Sequence, residues 1–216
     1  TNLLTSGYGS WVLLGQIITD LELEPDQSLL KTCGTCNICI EACPTDAIIA
    51  PYVLDNTRCI SFLTIENRDA IPLELRSPMR DWVFGCDICQ EVCPVNLKAS
   101  HSRELSFYGD NRLTGTVDLI ELLGMTDDDF HTRFGGTPVM RAKRIGMQRN
   151  ACIALGNIAD TRAVTVLGDT LQKGVSLVRG HAAWALGRIG GSVGQDLLTS
   201  ALKAELDEYV ERRVAE

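Results

Sequence analysis

Between residues 147 and 203 apolar positions recur at intervals of three and four, and the pattern occurs twice. Ala151, Ala154, Leu155, Gly156 and Ile158 return 31 positions later as Ala182, Ala185, Leu186, Gly187 and Ile189. Leu167 and Leu171 return as Leu198 and Leu202, and Val166 meets Leu197. Helical spacing in both halves of the unit predicts two helix–turn–helix units stacked as a short α-solenoid. Two units bury little by themselves, so the array is expected to pack on what precedes it. In residues 101–146 the apolar cluster Val117, Leu119, Ile120, Leu122 and Leu123 predicts helix with loops. Thr126 stands before Asp127, Asp128 and Asp129 as an N-cap before charges that suit a helix N-terminus. Residues 31–100 carry Pro44, Pro51, Pro72, Pro78 and Pro94, which leave no room for long regular elements. Residues 1–30 read as a Gly/Ser loop, Ser6 to Ser10, followed by a short buried element. That element takes in Trp11 to Leu14, Ile17, Ile18 and Leu21, and it ends at Pro25.

Composition narrows the class. The chain has 216 residues, 45% hydrophobic and 22% charged, which excludes wholesale disorder and a small disulfide scaffold. No apolar run approaches the ~18 residues of a membrane span, and no secretory signal is visible. The first residue is Thr1, so the sequence reads as starting within a longer protein. The net charge of −8 conceals a segment, residues 130–190, with 9 basic and 2 acidic side chains, net +7. Such a segment is either a nucleic-acid-binding face or a solvated helix face that happens to be basic.

Of nine cysteines, eight fall from Cys33 to Cys93. The first motif, Cys33-Gly-Thr-Cys36-Asn-Ile-Cys39-Ile-Glu-Ala-Cys43-Pro44, has the C-x2-C-x2-C-x3-C-P spacing of bacterial ferredoxins. Three thiolates on one tight loop hold three irons of a cubane, while the fourth reaches a second cluster. The second motif, Cys86-Asp-Ile-Cys89-Gln-Glu-Val-Cys93-Pro94, lacks its first cysteine, and Cys59 is the candidate to replace it. The exchange rule then assigns Cys33, Cys36, Cys39 and Cys93 to one [4Fe–4S] cluster, and Cys43, Cys59, Cys86 and Cys89 to another. The competing reading is a zinc or mixed-cluster structural module. Cys152, on the apolar face of the first repeat and equivalent to Ala183, reads as a small core residue. His101, His131 and His181 form no ligand motif and read as surface or packing residues. The fold class is therefore α+β and mostly helical, a bacterial-type two-cluster ferredoxin-like domain followed by a HEAT-like repeat domain.

Several stretches together resemble the epoxyqueuosine reductase family. They are Cys33–Pro44 with Ala47-Ile48-Ile49-Ala50-Pro51-Tyr52-Val53-Leu54-Asp55, Arg58-Cys59-Ile60-Ser61-Phe62-Leu63-Thr64-Ile65-Glu66, and Asp81-Trp82-Val83-Phe84-Gly85-Cys86-Asp87. Gly9-Ser10-Trp11-Val12 and Thr19-Asp20-Leu21-Glu22 resemble the segment before that family's ferredoxin domain. Arg149-Asn150-Ala151-Cys152-Ile153-Ala154-Leu155-Gly156-Asn157 resembles its HEAT-like tail.

The resemblance implies a cytoplasmic, monomeric enzyme that reduces the epoxide of epoxyqueuosine in tRNA to the alkene of queuosine. Electrons from a small donor of ferredoxin or flavodoxin type would pass through two [4Fe–4S] clusters to cobalamin. It implies residues 1–30 as a remnant of a cobalamin-binding domain, 31–100 as the cluster domain, 101–146 as a helical connector and 147–216 as the repeat domain. Gly9, Asp20, Ser61 and Glu66 fall in segments that line the cobalamin edge in the family. Arg141, Lys143, Arg144 and Arg149 become candidates for tRNA phosphate contacts. The proton-donating carboxylate belongs to a region this sequence does not contain, so no catalytic residue is assigned. The chain alone is expected to carry clusters without turnover. The alternative is an electron-transfer module of another cobalamin-dependent reductase, such as a relative of the reductive dehalogenases; it leaves the repeats and the +7 segment unexplained.

Overall fold

The structure, a computed structural model, describes residues 2–28, 32–104, 115–205 and 207–215. The cysteine-bearing half is built from short pieces. Helix α1 (Ile38–Glu41) is followed by an antiparallel pair, β1 (Ile48–Ala50) and β2 (Val53–Leu54), and then by α2 (Ile60–Ile65), α3 (Leu73–Arg76) and α4 (Ile88–Glu91). No helix in this half exceeds the 6 residues of α2, as the proline spacing predicts. Its apolar centre is small: Ile60, Leu63, Ile71, Leu75 and Met79.

Helices α5 (Leu119–Gly124) and α6 (Asp127–Phe134) follow. Thr126 caps α6 as expected. Its hydroxyl accepts from the Asp129 N–H, while the Asp129 carboxylate accepts from the Thr126 N–H and hydroxyl. The repeat is α7 (Lys143–Ile158) with α8 (Val164–Lys173), then α9 (Ser176–Ile189) with α10 (Ser192–Ala204). A last helix, α11 (Glu208–Ala215), packs on α9 and closes the stack, with Val210 fully buried. The 31-residue pattern does not contain this helix.

Helix α7 joins the two halves. Every residue from Gly146 to Gly156 is buried, so the helix has no solvent face over three turns. Met147, Ala151, Cys152 and Leu155 enter the solenoid core, while Ile153 enters the apolar centre of the cysteine-bearing half. Trp184 of α9 packs against both. Cys152 is fully buried beside an equally buried Ala183, and burial pushes its thiol far up, which leaves it a packing residue.

Arg149, Asn150 and Asn157 of α7 point at main-chain carbonyls of the cysteine-bearing half, in its loops and at its helix ends. Arg149, wholly inaccessible, donates to the carbonyls of Leu63 (2.6 Å), Asn67 (2.8 Å) and Asp69 (2.8 Å). Asn150 donates to the carbonyls of Thr64 (2.9 Å) and Val83 (2.8 Å), and Asn157 to those of Arg76 and Arg80. Arg68 returns the gesture to the carbonyls of Arg141 and Ala142. His181 of α9 is also buried. Its Nε2 accepts the Ile71 N–H, which leaves Nδ1 to donate to the Leu177 carbonyl. The repeats thus pack on the preceding half as expected, through polar groups as much as apolar ones.

Two expectations are corrected here. Residues 11–28 form no buried element: Leu13, Ile17 and Ile18 are 86%, 92% and 100% exposed. The stretch forms no helix or strand, and among the described residues no core lies beneath it. Only its start is anchored. Asn2 donates to the Cys89 carbonyl, Asn96 Oδ1 accepts the Ser10 N–H, and the Ser100 N–H donates to the Gly7 carbonyl. Arg149 is not a phosphate ligand, because its guanidinium is spent on buried carbonyls. Burial, with Arg68 nearby, brings its pKa down to about 10, and the charge still persists at neutral pH.

The two repeat glycines make a paired test. A Cβ on Gly156 would lie 2.8 Å from the Trp184 ring and 3.0 Å from the Ala185 Cα, whereas one on Gly187 meets nothing. Gly156→Ala is expected to destabilise by about 1–3 kcal/mol. Gly187→Ala is expected to stabilise by about 0.5–1 kcal/mol through helix propensity. Thermal unfolding of the two variants reads the difference, and equal shifts would contradict the packing described.

Candidate iron–sulfur centre

The two cysteine motifs fold alike. Asn37 leads into α1 at φ −124°, ψ 8°, and Asp87 leads into α4 at φ −116°, ψ 12°. In each, the second helical residue is a ligand candidate, Cys39 or Cys89. The Cys43 N–H then donates to Ile40 (3.3 Å) and the Cys93 N–H to Gln90 (3.1 Å). The two helices pack against each other. An offset of 50 places Cys36, Cys39, Cys43 and Pro44 on Cys86, Cys89, Cys93 and Pro94. The same offset places Cys33 on Val83, so the second motif has a valine where its first ligand would stand.

Cys59 supplies a thiol from elsewhere. It immediately precedes α2, and the Leu63 N–H donates to its carbonyl. The charges of the thiols show which ones gather. Burial raises the Cys86 thiol against the Ile88 N–H, and Cys59, Asp87 and Cys43 raise it further. Cys89 is pushed up to about 11, first by burial and then by Cys86, Cys59 and Cys39. Burial also acts on Cys43, but the Ala47 N–H (3.3 Å from Sγ) and the Thr45 hydroxyl outweigh it and lower that thiol. Cys86 therefore lies within electrostatic reach of Cys59 and Cys43, and Cys89 within reach of Cys86, Cys59 and Cys39. Cys33, Cys36 and Cys39 share the loop entering α1, where the Cys36 N–H donates to the Cys33 carbonyl.

Cysteine thiolates with N–H donors on sulfur suit iron–sulfur clusters. Cys36 is exposed, the other seven are half-buried, and all eight are free of disulfides. Among the described residues no three His, Cys, Asp or Glu side chains stand close enough to share a single metal ion. Thiolates on one zinc lie ~3.8 Å apart for Zn–S bonds of ~2.3 Å, whereas thiolates of a cubane each bind their own iron.

The residues expected at a cobalamin edge lie on different segments of the chain. Gly9 is buried against Asn96, with φ +63°, and any Cβ there would strike the Asn96 amide. Asp20 lies in the exposed stretch after Trp11. Ser61 sits in α2, and Glu66, at its end, is ion-paired with Arg141 at 2.5 Å. None of the four lines the cavity of about 590 Å³ between Trp82, Phe84, Val117, Phe134 and Met147.

The +7 segment is far less positive in space. Arg133, Arg141, Arg144, Arg162, Lys173 and Arg179 are ion-paired with Glu121, Glu66, Asp127, Asp160, Asp169 and Glu205. Of the four tRNA candidates, Arg149 is buried, Arg144 chelates Asp127 and bonds Gln148, and Arg141 is 69% exposed beside Glu66. Lys143 is exposed at a left-handed φ of 60° with no ion-pair partner among the described residues.

Sequence reasoning missed Thr64, Asn150, Asn157 and His181. The signal was present in α7, where Gln148, Arg149, Asn150 and Asn157 interrupt an otherwise apolar repeat helix.

Comparison with known proteins gives the same two halves. A family profile described as a 4Fe-4S double cluster binding domain matches residues 32–96, and one described as HEAT repeats matches 139–216. The chain is 40% identical over 191 residues to the epoxyqueuosine reductase of Xanthomonas campestris pv. campestris, covering 88% of this chain and 54% of that protein. It is 36% identical over 205 residues to that of Bacillus subtilis, covering 94% and 53%. A crystal structure of epoxyqueuosine reductase with a tRNA-Tyr epoxyqueuosine-modified stem loop superposes with a TM-score of 0.93 at 33% identity, covering 99% of this chain and 57% of that one. The chain spans about half the length of the curated relatives it matches.

Removing the thiol that comes from outside the motifs tests the ligand assignment. Cys59→Ala is expected to lower iron from about eight to about four per chain after anaerobic reconstitution. Retention of the full iron content would exclude Cys59 as a ligand.

Proposed function

The chain belongs to the epoxyqueuosine reductase family, and we propose that it forms the electron-carrying and repeat-bearing part of an enzyme that reduces epoxyqueuosine in tRNA to queuosine. Opening the epoxide to an alkene takes two electrons and two protons and releases water. In this reading Cys33, Cys36, Cys39 and Cys93 hold one [4Fe–4S] cluster, and Cys43, Cys59, Cys86 and Cys89 hold the other, each cluster supplying electrons one at a time. The chain's own contribution is to hold the thiolates, place the Ala47 N–H on the Cys43 sulfur and half-bury seven of the eight. The exposed Cys36 loop is the side open to a small ferredoxin- or flavodoxin-type donor. The monomeric state and cytoplasmic location belong to the same reading, and no helix among the described residues is long and apolar enough to cross a membrane.

The observation that carries this proposal is the continuity of the match through both halves in one order. A bare electron-transfer module for another reductase leaves the HEAT repeats without a role. Cobalamin as electron acceptor enters by family resemblance alone. The division at residues 30, 100 and 146 is proposed on the same footing. For the tRNA, Arg141, Lys143 and Arg144 remain candidates, and of these Lys143 is the one without an ion-pair partner among the described residues.

Disrupting the gene that encodes this chain is expected to leave epoxyqueuosine where queuosine would stand, as read by nucleoside mass spectrometry of cellular tRNA. An unchanged queuosine level contradicts the proposal. For the tRNA face, Lys143→Glu is expected to weaken binding of an epoxyqueuosine-modified stem loop. The slope of log K against log salt should become shallower by roughly 0.7–0.9. An unchanged affinity and slope would remove Lys143 from that face.

A further inference from the structure

In a complete ferredoxin motif the chain itself sets the distance between ligands, because each thiolate follows the last by two residues. The second motif has lost that device. Cys59 precedes Cys86 by 27 residues, and the intervening chain is mostly loop. Something other than local spacing must hold the Cys59 thiol at a fixed distance from those of Cys86 and Cys89.

Three hydrogen bonds meet at that gap. The Asn150 amide donates to the Thr64 carbonyl (2.9 Å) and to the Val83 carbonyl (2.8 Å). Thr64 lies in α2, the helix that Cys59 precedes, and Val83 occupies the position of the absent ligand. The Thr64 hydroxyl accepts the Gly85 N–H at 3.0 Å while donating to the Ile60 carbonyl at 2.7 Å. Gly85, the residue before Cys86, is at φ +74°, a conformation that glycine adopts without strain. The direction of the Asn150 amide is fixed as well. Its Oδ1 accepts from Nε (3.1 Å) and Nη2 (2.9 Å) of Arg149, so a flipped amide would face two carbonyls with an oxygen and a guanidinium with an NH2. Thr64 and Asn150 are both fully buried, so no water competes for these bonds.

We propose that Thr64 and Asn150 are positioning residues for the second cluster: they tie the Cys59 helix to the Val83–Gly85 strap and so replace the missing first cysteine's role in spacing the ligands. The repeat helix α7 thereby becomes part of the cluster site without touching it. The inference rests on the two-cluster reading, and it concerns only one of the two clusters. The first cluster's loop closes on itself, with the Cys36 N–H donating to the Cys33 carbonyl.

The experiment compares anaerobically reconstituted wild-type protein with Thr64→Val, Thr64→Ser and Asn150→Leu. Iron per chain is measured after a chelator challenge, and the redox midpoints of the reducible clusters are followed by electron paramagnetic resonance. Wild type is expected to keep about eight irons. Thr64→Val keeps the shape of the side chain and loses the hydroxyl. It is expected to lose about half the iron, or to shift the midpoint of one cluster while the other stays. Thr64→Ser is expected to match wild type, and Asn150→Leu to follow Thr64→Val. If Asn150→Leu does not fold, the valine and serine pair decides.

The proposal is overturned if Thr64→Val keeps all its iron with both midpoints unmoved. It is also overturned if both clusters are lost in equal measure, or if serine fares no better than valine. A wild-type protein that holds only about four irons would instead overturn the two-cluster reading, an outcome visible before any variant is made.

Discussion

Loop carbonyls removed from water need donors, and in this protein one helix supplies most of them. The cysteine-bearing half has too little regular structure to satisfy its own backbone. Between Leu63 and Val83 it turns seven times toward α7 or its neighbours, and the carbonyls of Leu63, Thr64, Asn67, Asp69, Arg76, Arg80 and Val83 all end on Arg149, Asn150 or Asn157. A buried carbonyl left without a donor costs about 1–3 kcal/mol. Removing a donor side chain while α7 stays in place would therefore leave carbonyls between Cys59 and Cys86 covered and unpaired. The same requirement explains a helix buried on all sides that still carries arginine, asparagine and glutamine.

The constraint makes one body of what reads along the sequence as two domains. The apolar centre under α2 and α3 is completed by Ile153 from α7, and Trp184 from α9 closes it. The Ile71 N–H finds its acceptor on His181, which the geometry holds as the neutral ring with the proton on Nδ1. It also redistributes charge. Arg149 is drawn inward, and most of the remaining cations of residues 130–190 face carboxylates, four of which, Glu66, Glu121, Asp127 and Glu205, lie outside that segment. A positive stretch of sequence becomes a largely neutralised surface, on which Lys143 has no ion-pair partner among the described residues.

Legibility followed locality. The cysteine spacing, the 31-residue repeat, the Thr126 cap and the burial of Cys152 were readable because each depends on residues within a few turns of chain. Cys59 became the candidate fourth thiol by elimination, since the second motif lacks one. The offset of 50 that puts Val83 in that place needed only the sequence. Its consequence, a carbonyl handed to Asn150 67 residues away, needed the fold. Arg149 was misassigned because a cation in a basic stretch looks solvated until its acceptors, most of them main-chain carbonyls distant in sequence, are known. Trp11 to Leu21 was misassigned for the converse reason, because apolar composition predicts burial only where another surface exists to cover it, and within the described residues none does.

Native-state hydrogen exchange on the iron-loaded protein tests the central claim most directly. The amides of Ile71 and Gly85 have side-chain acceptors, His181 Nε2 and Thr64 Oγ1, and belong to no helix or strand. If α7 holds this half together, both should exchange only when α7 itself opens, with the same dependence on denaturant as the amides of Ala151 to Leu155. Fast exchange at Ile71 and Gly85 while α7 stays protected would contradict the account.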